Sequence, residues 1–208
     1  MLGSDGKPGE FVYFGLEKGI INSLNEEIHN SDTIWLQINA DGLPLFKSNS
    51  LHLWPILCKI HYEPDIYKPL PVAIFSGTTK PMCIDDYLEE FVIDLDNILE
   101  NGVIVGNKHF KVQVHCFVCD TPARSFLKDV KGHGAYYACE RCTVRGKNVV
   151  LLGETKGRVV YPSIKKEKRT DESFRSRKQE KHHKGTTPLI NLALNLVTIF
   201  VLDWHWHY

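Results

Sequence analysis

The chain has 208 residues, is 43% hydrophobic and carries 25 Lys and Arg against 25 Asp and Glu, a composition that supports one main hydrophobic core with room for a small appendage. The opening MLGSDGKPGEF lacks the basic start and apolar centre of a signal peptide. The longest apolar run, 189–202, is interrupted by Asn191 and Asn195 and is too short to cross a bilayer. On these features the chain is expected to be nuclear or cytoplasmic rather than secreted or membrane-bound.

In chain order, the polar, Gly-rich residues 1–10 are expected to be disordered. Phe14, Leu16, Ile20, Ile21 and Leu24 then recur at helical spacing, predicting a helix that starts near Gly15 or Glu17. A strand over about 33–40 follows and delivers Asp41. A second strand over 51–60 contains Pro55, which cannot donate to a ladder and so predicts an edge or a bulge. A third, 72–75, completes an antiparallel meander.

Residues 83–100 place Ile84, Tyr87, Leu88, Phe91, Val92, Leu95, Ile98 and Leu99 on one helical face, with Asn101-Gly102 as the stop. A short strand, 103–105, and a turn at 106–108 lead into a strand whose Phe110, Val112, Val114, Cys116 and Val118 alternate with polar residues. This strand ends on Asp120. Carboxylates at the ends of two rigid strands suggest one divalent-metal site. The blander reading is two turn-forming aspartates, Asp41-Gly42 above all. The predicted fold class is α/β, an RNase H-like mixed sheet flanked by helices.

Beyond Asp120 come a short helix and a Cys-x-x-Cys knuckle, Cys139 and Cys142. Among six cysteines in all, that spacing suits a reducing compartment and metal binding better than disulfides. Residues 141–185 hold 14 Lys and Arg against five Asp and Glu, a surplus of nine positive charges balanced by nine negative ones elsewhere. A basic segment on an acidic body is an electrostatic footprint for nucleic acid; a solvated linker is the alternative. The candidate nucleic-acid contacts are Lys165, Lys166, Lys168, Arg169, Arg175, Arg177 and Lys178. Scattered histidines such as His61 and His115 read as ordinary strand or loop residues, and Trp35 and Trp54 as core.

The stretches ADGLPLFKSNSLHLWPILCKI, VAIFSGTTKP, CIDDYLEEFVIDLDNIL, HCFVCDTPARSFLKDVKGHGAYYACERC and RTDESFRSRKQEKHHKGTTPL resemble, in this order, the catalytic region of CACTA (En/Spm) DNA transposases, and domesticated or relict animal copies in particular. The likeness spans roughly residues 10–203. It implies an RNase H-like core with a DDE triad that binds two Mg²⁺ or Mn²⁺ ions ~4 Å apart for cleavage and strand transfer. Asp41 resembles the first acid and Asp120 the second. Cys139 and Cys142 resemble the Cys-x-x-Cys pair that, in the related V(D)J recombinase core, joins two histidines around Zn²⁺; two cysteines are half of such a site.

The resemblance implies a core over 11–138, a knuckle and irregular basic insertion over 139–188, and a divergent segment over 189–208. The family's third acid, a glutamate on a late helix, has no counterpart, and Asp203 stands in a segment altered before Tyr208. The chain is therefore expected to be truncated before the last catalytic helix and inactive in strand transfer by itself. An active nuclease would need a nearer acid such as Glu140 or Glu154. The alternative is a nucleic-acid- or protein-binding adaptor with a structural zinc. DNA is the implied partner; no small-molecule substrate or membrane is.

Overall fold

The computed structural model describes residues 1–45, 51–150, 152–153, 155–163 and 165–202. Strand β1 (Glu10–Tyr13) and helix α1 (Leu16–Ser23) precede strands β2 (Thr33–Ala40), β3 (Leu43–Pro44), β4 (His52–His61) and β5 (Leu70–Gly77). Helix α2 (Ile84–Asn101) leads into strands β6 (Val103–Val105) and β7 (Lys108–Val118) and helix α3 (Thr121–Leu127). Strands β8 (Lys147–Val149) and β9 (Arg158–Val160), helix α4 (Asp171–Arg175) and strand β10 (Phe200–Val201) complete the order.

The chain is thus α/β, with a mixed sheet in the order β1-β5-β4-β2-β7-β10. β2, β4 and β5 form the antiparallel meander. The long helix α2 carries the chain back across the sheet, so that β7 enters parallel to β2, as a crossover connection requires. β6 folds back on β7 as a hairpin, and β10 lies parallel to β7 on its far side.

One face of this sheet is buried by helices. Leu16 and Ile20 of α1, with Tyr87, Phe91, Leu95 and Ile98 of α2, pack in one cluster with Ile34, Leu36, Ile38, Val72 and Phe75 of the strands. Each such side chain contributes ~1.5–3 kcal/mol on burial, which outweighs the weak propensity of the β-branched residues in α2. Asp94 on α2 accepts hydrogen bonds from the Tyr13 hydroxyl (2.6 Å) and from the Leu16 amide (3.0 Å), so it fastens the start of α1 rather than facing water.

Pro55 lies in an interior strand and not at an edge. Its register partner is Ile74 of β5, a bulge follows between Ile56 and Leu57, and pairing to β2 begins only at Ile56. The missing amide therefore falls where the ladder passes from β2 to β3. Trp35 also differs from expectation: it is 39% exposed, on the sheet face that the helices leave open.

The strict alternation predicted for β7 fails at His115. Leu36 pairs with Val114 but Gln37 pairs with Cys116, so one extra residue is inserted in β7. A one-residue slip exchanges the two faces. Phe117 and Cys119 therefore join the helix-covered core, while Cys116 and Val118 line a cleft on the open face with Gln37, His61 and His115.

Both ends of the chain correct the sequence reading. Residues 1–9 are ordered, not disordered: Leu2 bridges Pro8, Gly3 bridges Pro81, and the Met82 amide donates to the Leu2 carbonyl at 2.9 Å. Residues 189–201 belong to the main core. Leu189, Leu192, Leu196, Val197 and Phe200 are buried, and Phe200 stacks on Phe117 at 4.7 Å. Asp203 and Glu154 lie outside the described residues. Among the described residues no helix is long and apolar enough to cross a membrane.

Candidate functional site

Asp41 and Asp120 follow the C-terminal ends of β2 and β7, two adjacent parallel strands. The bulge at His115 decides how they meet. Ala40 is buried in the core, so alternation turns Asp41 to the opposite side; beyond the bulge, Phe117 and Cys119 are core and Asp120 turns to that same side. Without the extra residue the second aspartate would follow the core face. Asn39 pins the two strand ends by donating its side-chain amide to the Val118 carbonyl.

Each carboxylate is held by one oxygen. Asp120 Oδ1 accepts from the Ala123 amide at 2.7 Å and caps α3, whose Pro122 occupies the first turn, where an absent amide does no harm. Asp41 Oδ1 accepts from the Gly42 amide at 2.7 Å. Among the described residues the second oxygen of each makes no protein hydrogen bond. Burial and the nearby Asp120 charge raise the Asp41 pKa above the usual carboxylate value, with the Gly42 bond opposing.

Two carboxylates that repel across adjacent strand ends, each with one oxygen uncommitted, fit a hard divalent cation. The set is incomplete among the described residues, where no group of three or more His, Cys, Asp or Glu side chains converges. Glu140, weighed as a third acid, is committed elsewhere. It is buried, with Oε1 2.9 Å from Arg124 Nε and Oε2 3.0 Å from Lys128 Nζ. Burial alone would raise its pKa, but Lys128 and Arg124 outweigh that and hold it below the ordinary value.

Arg124 was not singled out in the sequence, yet it organises the floor of the site. It donates to the Cys119 carbonyl at 2.7 Å and to the Thr121 hydroxyl at 2.9 Å, as well as to Glu140. None of these bonds goes to Asp41 or Asp120, so it supports the strand-to-helix turn without neutralising the acids. The only sequence signal was its place in the first turns after Asp120, in CDTPAR.

Cys139 and Cys142 come together, with their Sγ atoms 3.3 Å apart. Arg169 clamps the knuckle by donating to the Cys139 carbonyl at 3.3 Å and the Cys142 carbonyl at 3.2 Å. Burial, more than the neighbouring thiol, raises the Cys142 pKa. His182 and His183 lie nearby in the fold. The 2.6 Å contact of His182 Nδ1 with the Tyr137 carbonyl requires an N–H at Nδ1, leaving Nε2 as a lone pair. Both Nε2 atoms are buried without a hydrogen-bond partner among the described residues. Burial, then Arg169, pushes His182 down to about 3; burial, then Arg177, pushes His183 down to about 4. Both are neutral at pH 7, and neither forms a described ligand group with the cysteines.

The predicted nucleic-acid contacts divide. Lys165, Lys166 and Lys168 are exposed, as is Arg177. Arg169 is buried and also donates to Gln179. Arg175 donates to the Ile190, Leu192 and Leu194 carbonyls and pairs with Asp171 at 2.6 Å. Lys178 pairs with Glu167 at 2.8 Å. Charge counting treats every cation alike; the fold uses Arg169 and Arg175 as internal fasteners, and this part of the predicted surface is corrected accordingly. No protein-family model matches the chain, and no curated protein matches it significantly.

Proposed function

We propose that this chain is a transposase-derived protein with an RNase H-like core, whose aspartate pair binds Mg²⁺ or Mn²⁺ and whose basic segment binds DNA, without strand-transfer activity of its own. The observation that carries the reading is the placement of Asp41 and Asp120 at the ends of adjacent parallel strands, β2 and β7. The strand order supports it: a three-stranded antiparallel meander whose first strand is flanked by parallel strands on its other side. The motif resemblance in the sequence points the same way.

Within this reading Asp41 and Asp120 each offer one uncommitted oxygen, and the strands and the α3 cap hold those oxygens in place. A bound divalent ion would supply charge neutralisation and Lewis acidity toward a phosphodiester. Among the described residues two oxygens alone leave such an ion with too few protein ligands to position a nucleophile, and Glu140 is removed from candidacy by its buried ion pairs.

The test is calorimetric titration of Mn²⁺ into the parent chain, Asp41→Asn and Asp120→Asn. The expected result is one site in the parent that both variants lose. A parent that binds no Mn²⁺ overturns the metal reading. The adaptor alternative rests on the 3.3 Å thiol pair, which could contribute two of four zinc ligands. Zinc that co-purifies with the parent but not with Cys139→Ser would favour it.

A further inference from the structure

Resting on the DNA-binding reading above, we propose that the β8–β9 ribbon and the loop beneath it form the surface that holds the backbone of duplex DNA, through Arg145, Lys147 and Lys166. These residues line a cleft of about 600 Å³ together with Tyr136 and Asn148, and no acidic residue belongs to its described lining. All three cations are exposed. Among the described residues none of them makes an ion pair or a side-chain hydrogen bond within the protein. Their neighbours in the same segment behave differently, since Arg169, Arg175 and Lys178 are occupied as described above.

The cations stand on an ordered frame. β8 and β9 pair through Lys147↔Val160, Asn148↔Val159 and Val149↔Arg158. The Gly146 amide donates to the Tyr136 carbonyl at 2.6 Å, and the Tyr161 hydroxyl donates to the Ala135 carbonyl at 2.8 Å, tying the ribbon to the loop before the knuckle. The Arg145 guanidinium lies 5.7 Å from the Tyr136 ring centroid, which restricts its range without neutralising it. Positive side chains on an ordered backbone, with no acid in the described lining, need break no ion pair on meeting a row of phosphates. Such contacts carry affinity and register but no sequence preference.

Three phosphate contacts predict a salt slope of about −2.7 from this surface, so affinity between 50 and 200 mM salt should fall by an extra factor of about 40. The experiment is fluorescence anisotropy of the full chain with a labelled mixed-sequence duplex, in EDTA so that the aspartate pair takes no part. The parent is compared with the triple variant Arg145→Gln, Lys147→Gln, Lys166→Gln and with Lys178→Gln. The expected result is a slope about 2.7 units shallower for the triple variant and an unchanged slope for Lys178→Gln, with unfolding midpoints unaltered.

A parent that binds duplex while the triple variant keeps its slope overturns this placement and leaves the DNA-binding reading standing. A parent that binds no duplex overturns both. If an RNA hairpin displaces the duplex at lower concentration than unlabelled duplex does, the commitment to DNA is wrong. Mn²⁺ binding by the aspartates is independent of all three outcomes.

Discussion

Asp41 is half-buried and Glu140 buried near the same end of the sheet, yet they respond in opposite directions. Glu140 sits between Arg124 and Lys128 and is held below the ordinary carboxylate value. Asp41 is pushed above it by burial and then by the like charge of Asp120. The difference separates a charge that serves the architecture from one that the architecture leaves unsatisfied. A buried acid with two cations completes a local structure, whereas an acid facing another acid stores repulsion that an added cation would relieve.

At neutral pH the largest expected effect comes from breaking the satisfied side. Glu140→Ala leaves Lys128, which has no exposed side-chain surface, and Arg124 as unpaired buried charges, and should lose ~3–5 kcal/mol of stability in urea unfolding. A loss under ~1 kcal/mol would mean that water reaches the cluster and that the contrast with Asp41 is overstated.

Next comes the neutral histidine pair. Their folded pKa values of about 3 and about 4 lie below the ordinary 6.5, so the unfolded chain takes up protons first as pH falls. Stability is then fully present above pH 6.5 and declines toward pH 4, by ~1.4 kcal/mol per pH unit for each histidine. Urea midpoints across that range should show the slope, and His183→Gln should remove about half of it. A flat profile would place both rings in contact with solvent.

Smaller effects sharpen the acid pair itself. Asp120→Ala should lose ~1 kcal/mol because α3 loses its cap, whereas Asp120→Asn keeps a capping oxygen and should be neutral or slightly stabilising at pH 7. In the Asn variant the carboxyl of Asp41 should titrate at a lower pH than in the parent, as followed by carbon NMR. An unchanged titration would show that burial alone, without Asp120, raises Asp41.

Much of this molecule was legible in one dimension. The meander, the long helix α2 and the strand β7 follow from period-two and period-3.6 patterns, and Asp41 and Asp120 stand out because one follows β2 directly and the other comes two positions after the last residue of β7. The exposure of Arg145 and Lys147 had no sequence signal, since charge counting places them in the same basic segment as Arg169 and Arg175.

By itself, then, the sequence determined the meander of β2, β4 and β5, the helix α2 with its core face, the strand β7 and the two strand-end acids, because local periodicity and turn chemistry act over a few residues. Tertiary structure alone decided that a bulge at His115 turns Asp120 toward Asp41, that Glu140 is bound between Arg124 and Lys128, that residues 189–201 return to the core, and which cations remain unpaired. Register, burial and ion pairing depend on which distant segments meet, and no local pattern records that.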